Sequence, residues 1–113
     1  MKLAIIGSRT LTDIDISAYI PPDVTEIISG GAKGIDTLAE VYADKHKLSK
    51  YIIRPEYQKY PPKVAPMIRN KLIVDHCDAL LAFWDKQSKG TLSTIDYANK
   101  IGKTVTVVEL EKD

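Results

Sequence analysis

The chain has 113 residues, enough for one compact core and too few for two ordinary domains, so residues 1–113 read as one domain. A hydrophobic share of 44% beside 27% charged residues is that of a globular protein, and no apolar run is long enough to span a bilayer as a helix. The formal net charge of +1 excludes a strong global field toward nucleic acid, so any anion site must be local.

The first apolar run, "KLAIIG", meets Gly7, Ser8 and Arg9 before it reaches signal-peptide length and reads as a buried strand. A helix is expected over "LTDIDISAYI", with Thr12 and Asp15 at capping-box spacing and a stop before Pro21 and Pro22. "TEIISG" is the second strand. The helix after it, from Gly34 to about His46, places Ile35, Leu38, Ala39 and Tyr42 on one face. "YIIRP" is the third strand, followed by the long loop "RPEYQKYPPKVA". The next helix follows Pro66 and contains "MIRNKLIVDHC", with Ile68 and Leu72 on its apolar side and Arg69 and Asn70 turned elsewhere. "DALLAFW" is the fourth strand. A last helix begins near Thr91, runs through Leu92, Ile95 and Ala98, and stops at Gly102 before the fifth strand, "KTVTVVEL". Continuous apolar strands alternating with helices predict an α/β fold: a three-layer Rossmann-like sandwich, its five-stranded parallel sheet covered by helices on both faces.

In such a sheet ligands bind outside the carboxyl ends of the strands, where the strand order reverses. Three unusual loops fall there: "GSRT", "SGGAKG" and "WDKQSKGT", each with a glycine, a hydroxyl residue and a cation. Glycine lets backbone N–H groups approach a ligand, a helix N-terminus adds partial positive charge, and Ser, Lys or Arg complete an anion cradle. The expected guest carries phosphate. The candidate binding residues are Gly7, Ser8 and Arg9 from the first loop, and Ser29, Gly30, Gly31, Lys33, Gly34 and Asp36 from the second. Lys89, Gly90 and Thr91 come from the third loop, and Arg69 and Asn70 from the helix after the long loop. Gly30 and Gly31 would admit the ligand, Lys33 would face its charge, and Gly34 would allow a tight start to the helix. The blander alternative is that the loops are only tight turns.

Asp36 reads either as a helix-capping carboxylate or as a partner for ribose hydroxyls. Tyr57 and Tyr60, interleaved with Lys59 and Lys63, either stack on a base or pack over the sheet end, and Trp84 is either a core plug or a pocket wall. His46, His76 and the single Cys77 have no metal-ligand spacing, so neither a metal nor a cofactor is expected. The lone cysteine agrees with a reducing cytoplasm.

Taken in order, "IIGSR", "SGGAKGID", "MIRNKLI", "DALLAFWD" and "SKGTLSTI…GKTVTVV" resemble the SLOG superfamily of Rossmann-like nucleotide-binding domains over nearly the whole chain. The small stand-alone SLOG proteins of bacteria and phages look most similar. The resemblance implies a nucleotide or nucleotide-derived ligand, a role as a sensor or processing module, and a homo-oligomer, since dimers are usual in these families. The central domain of the DNA-processing protein A family is also similar, at Gly7 to Arg9, Ser29 to Asp36, Arg69 with Asn70, and Gly90 with Thr91; that similarity implies single-stranded DNA as an alternative partner. Lonely-Guy-type phosphoribohydrolases share the architecture and imply a hydrolase: Arg69 looks like their arginine and Gly90 with Thr91 like their G-T. Their catalytic glutamate is replaced by Thr94, so a carboxylate would have to come from Asp85 or Asp96.

Overall fold

The computed structural model describes residues 1–110; the last three positions of the expected domain lie outside them. Five strands, β1 (Lys2–Gly7), β2 (Glu26–Ser29), β3 (Ser49–Ile52), β4 (Ala79–Trp84) and β5 (Thr104–Glu109), form one sheet in the order β3-β2-β1-β4-β5. Every pairing is parallel. Three α-helices connect them: α1 (Ile35–Lys45), α2 (Ala65–His76) and α3 (Lys89–Lys100).

The period-two geometry of a strand divides the apolar runs between two cores. Leu3 and Ile5 join Ile27, Leu81 and Phe83 beneath Ile35, Ala39 and Ala43 of α1. Ala4 and Ile6 join Ile28, Leu80 and Ala82 beneath Ile73 and Val74 of α2 and Ile95 and Ala98 of α3. Both faces of β1 and β4 are therefore buried, which is why those strands read as unbroken apolar runs. The result is the expected three-layer Rossmann-like sandwich. Among the described residues no helix is long and apolar enough to cross a membrane.

The expected first helix does not form. The connection between β1 and β2 holds only a 3-10 turn at Ser17–Tyr19. The Asp15 carboxylate accepts hydrogen bonds from the Ser17 backbone N–H and hydroxyl, local bonding that competes with a helix. Leu11, Ile16 and Val24 are the buried anchors of this segment, and Tyr19 meets Phe83 edge-on at 5.4 Å.

Two helix faces also differ from expectation. In α2 the buried residues are Ala65, Arg69, Ile73 and Val74, while Ile68 and Leu72 are half-buried. An arginine within an otherwise apolar stripe hides that stripe from a hydrophobicity pattern. In α3 Leu92 is exposed, and Thr91 and Thr94 are buried beside Ile95 and Ala98.

The chain passes from β1 to β2 on one side of β1 and later places β4 on the other. The strand order thus reverses at β1, and a crevice opens between the carboxyl ends of β1 and β4.

Candidate functional site

The crevice has a volume of about 460 Å³, and its walls include Gly7 at the end of β1, Ser8, Arg9 and Thr10 after it, Asp85, Ser88, Gly90 and Thr91 after β4, and Asp36, Arg69 and Asn70. Asp85 ties the two loops together. Its Oδ1 accepts the N–H groups of Gln87 and Ser88 at 2.9 and 2.8 Å, and its Oδ2 accepts the Thr10 hydroxyl at 3.1 Å. Its own N–H donates to Ser8 Oγ at 3.2 Å. The Ser88 and Gln87 N–H groups, helped by the Ser8 and Thr10 hydroxyls, lower its pKa to about 2 against an ordinary 3.8.

A depressed carboxylate pKa stabilises the fold fully above the unfolded value and loses that contribution as pH falls through the folded one. The parent protein is therefore expected to lose this stability between the ordinary 3.8 and about 2. Thermal melts across that range should fall less steeply for Asp85→Asn, which starts lower at neutral pH. Equal slopes would show that Asp85 is not held as described.

The second loop uses its Ala32 N–H within the protein. Asp36, at the start of α1, accepts the Ala32 N–H at 3.1 Å, so a carboxylate of the chain itself occupies the anion position made by this loop and the helix N-terminus. Burial pushes the Asp36 pKa up; the Ala32 N–H, the Arg69 charge and the Gly30 N–H act against that rise. Capping is thus satisfied here, while Asp36 still borders the crevice.

Arg69 lies across the same loop. Its Nη1 donates to Gly30 O at 2.6 Å and its Nε to Asn70 Oδ1 at 2.8 Å. A Cβ on Gly30 would sit 2.5 Å from Arg69 Nη1 and 2.9 Å from Asp36 Oδ2, so this glycine makes room for the guanidinium. Arg54 Nη1 donates likewise to Gly31 O at 3.2 Å. Burial lowers the Arg69 pKa, and Asp36 opposes the change.

Open donors also lie at the start of α3. Ser88 caps α3 by accepting the Thr91 N–H at 3.3 Å, yet the N–H groups of Lys89 and Gly90 in the first turn have no partner among the described residues. A Cβ on Gly90 would meet nothing within 4 Å. Arg69 Nη2 and the exposed Arg9 have no hydrogen-bond partner among the described residues either. An anion is favoured at this end, where a helix N-terminus faces two guanidinium groups.

The other sequence candidates divide between neighbouring spaces. Gly30, Gly31 and Lys33 border a second cavity of about 470 Å³, with Arg54, Pro55 and Tyr57; it shares Arg9, Ala32 and Arg69 with the crevice. Lys89 borders a groove between α2 and α3. Ser29 and Gly34 line none of these spaces. The buried Ser29 Oγ has no hydrogen-bond partner among the described residues, and Gly34 takes φ +77° directly under the Arg9 carbonyl.

Tyr60 lies away from both cavities, beside Glu56, Ala65 and Leu72. The half-buried Trp84 donates its Nε1–H to Ser88 O at 3.0 Å, fastening the start of α3 to the sheet. His46 stacks on Tyr42, and His76 Nδ1 bonds Leu72 O. Thr94 Oγ1 donates to Gly90 O at 2.8 Å, and Asp96 is exposed outside the crevice.

Sequence reasoning missed Thr10, Arg54 and Ser88. Ser88 had a signal, a hydroxyl residue three positions before Thr91 at a helix start. Arg54, directly after the third strand, had only its position.

No protein-family model and no curated protein matches the chain. Among solved structures, it is similar to DNA processing protein A from Streptococcus pneumoniae, with a TM-score of 0.74 and 23% sequence identity. The match covers 97% of this chain and 50% of that one. The two share a Rossmann-like fold. This chain spans half the length of that protein.

Proposed function

We propose that the protein binds single-stranded DNA along the carboxyl edge of its sheet, with one backbone phosphate held in the β1–β4 crevice between Arg9, Arg69 and the start of α3. On this reading the chain is a SLOG-type domain. The observation that carries it is a pair of neighbouring cavities on this edge. The crevice and the second cavity share Arg9, Ala32 and Arg69 as walls, and each is in the ordinary size range of a ligand site, about 300–1,000 Å³. Arg9, Lys33, Arg54 and Arg69 line the pair, and none of them forms a salt bridge among the described residues. Tyr57 supplies a ring on which a base stacks. The fold likeness to a DNA processing protein agrees with this assignment.

A second reading, a free nucleotide or nucleotide-derived ligand, is favoured by the crevice alone, whose open donors suffice for one phosphate. A length series separates the two: fluorescence competition with oligothymidylates from one to eight nucleotides. Affinity rising with length until both cavities are filled supports single-stranded DNA. A mononucleotide that competes as well as the longest oligomer supports the second reading and contradicts the first.

Neither Asp85 nor Asp96, the carboxylates expected for release of a base, is available in the crevice. Thr94 cannot stabilise an oxocarbenium-like transition state by negative charge, both oxygens of Asp85 are engaged, and Asp96 lies outside. Incubation with nucleoside monophosphates is expected to yield no free base by chromatography. Turnover abolished by Asp36→Asn or Asp85→Asn would overturn that expectation.

A further inference from the structure

The groove between α2 and α3 holds about 290 Å³ and is bordered by Met67, Lys71, Lys89, Ser93 and Tyr97. It meets the crevice at Asn70, Gly90 and Thr94, which line both spaces. The Tyr97 ring is a fixed wall, because its hydroxyl donates to Asp75 at 2.7 Å and the Lys71 ammonium stands 5.5 Å from the ring centroid. Met67 is 54% exposed although it borders an apolar groove. At the junction, the Arg69 Nε–H bond to Asn70 Oδ1 fixes the orientation of the Asn70 amide. Its NH₂ group has no partner among the described residues and is left to donate.

We propose that this groove is a nucleobase pocket, which receives the base belonging to the phosphate in the crevice; the assignment rests on the single-stranded DNA reading above. The occupant follows from continuity and chemistry. A flat, mostly apolar group fits beside the Met67 thioether and the Tyr97 ring. Its edge must offer an acceptor to the Asn70 amide, as a carbonyl or unprotonated ring nitrogen of a base does. Lys71 and Lys89 at the rim complement the adjoining phosphates. A hydrocarbon chain would satisfy the walls and leave the Asn70 donor and both lysines without an acceptor.

The test compares a short single-stranded oligothymidylate with an abasic sugar–phosphate oligomer of equal length, by fluorescence anisotropy. Two variants at exposed positions are used: Ser93→Leu, which fills the groove, and Met67→Ala, which removes a wall. The parent is expected to prefer the base-bearing oligomer by about tenfold for the base in the groove and by about tenfold more for the base on Tyr57. Each variant should lose the groove's tenfold share of that preference and keep its affinity for the abasic oligomer within about twofold. Variants that weaken both oligomers equally, or leave the preference intact, overturn the pocket. A parent that binds both oligomers equally well overturns the pocket and the stacking on Tyr57, and leaves the backbone contacts of the single-stranded DNA reading standing. A parent that binds neither overturns both.

Discussion

Arg69→Ala is expected to cost about 3 kcal/mol of stability and to remove most ligand binding. The side chain is only 7% exposed and donates to Gly30 O and Asn70 Oδ1. Its loss strands a buried carbonyl and removes the positive charge that opposes the rise in the Asp36 pKa. It also opens a void under the glycine loop that Gly30 leaves for the guanidinium. Arg69→Lys should recover part of the stability and little of the binding, because an ammonium cannot reproduce the fork that bonds Gly30 O and Asn70 Oδ1 and still faces the crevice. Urea denaturation measures the first effect. A change below about 0.5 kcal/mol would place Arg69 among ordinary surface residues and contradict its role here.

Gly34→Ala is the second large effect, and it contrasts with Gly90→Ala. At φ +77° and ψ −124° the Gly34 backbone occupies a region nearly closed to side chains, and an added Cβ would lie 2.8 Å from the Arg9 carbonyl oxygen. The combined cost is about 3 kcal/mol, and the displaced Arg9 should weaken binding as well. At Gly90 a methyl group meets open space, so stability should stay within about 1 kcal/mol of the parent and rise if helix propensity dominates. The same methyl group projects beside the first-turn N–H groups, so affinity should fall although the fold is intact. Thermal melts paired with binding titrations separate the two behaviours. A destabilising Gly90→Ala with unaltered affinity would remove the start of α3 from the site.

The sheet was legible because both faces of β1 and β4 are buried and their apolar runs are unbroken. The first crossover was not. Its capping-box spacing suggested a helix, whereas Asp15 bonds Ser17 locally and three well-separated apolar anchors hold the segment to the sheet. The site was legible as loops and illegible as donors. "SGGAKG" looks like an anion cradle, but its Ala32 N–H serves Asp36 and its two glycine carbonyls accept from Arg69 and Arg54. The arginines that meet those carbonyls come from positions 39 and 23 residues away in the chain, a proximity that no local pattern reveals. The open N–H groups of Lys89 and Gly90 belong to a loop with a single glycine.

The central claim is that cations on the carboxyl edge of this sheet hold the backbone of a single strand. The most direct measurement is a fluorescence-anisotropy titration of a labelled oligothymidylate at several salt concentrations, for the parent and for Arg9→Ala. Each phosphate neutralised contributes about 0.7 to the slope of log affinity against log salt, so three or four contacts give the parent a slope of about −2 to −3. Arg9 is exposed and its loss should leave the fold intact, so the variant should bind more weakly with a slope shallower by about 0.7. No saturable binding at low salt, or a parent slope near zero, would contradict the account.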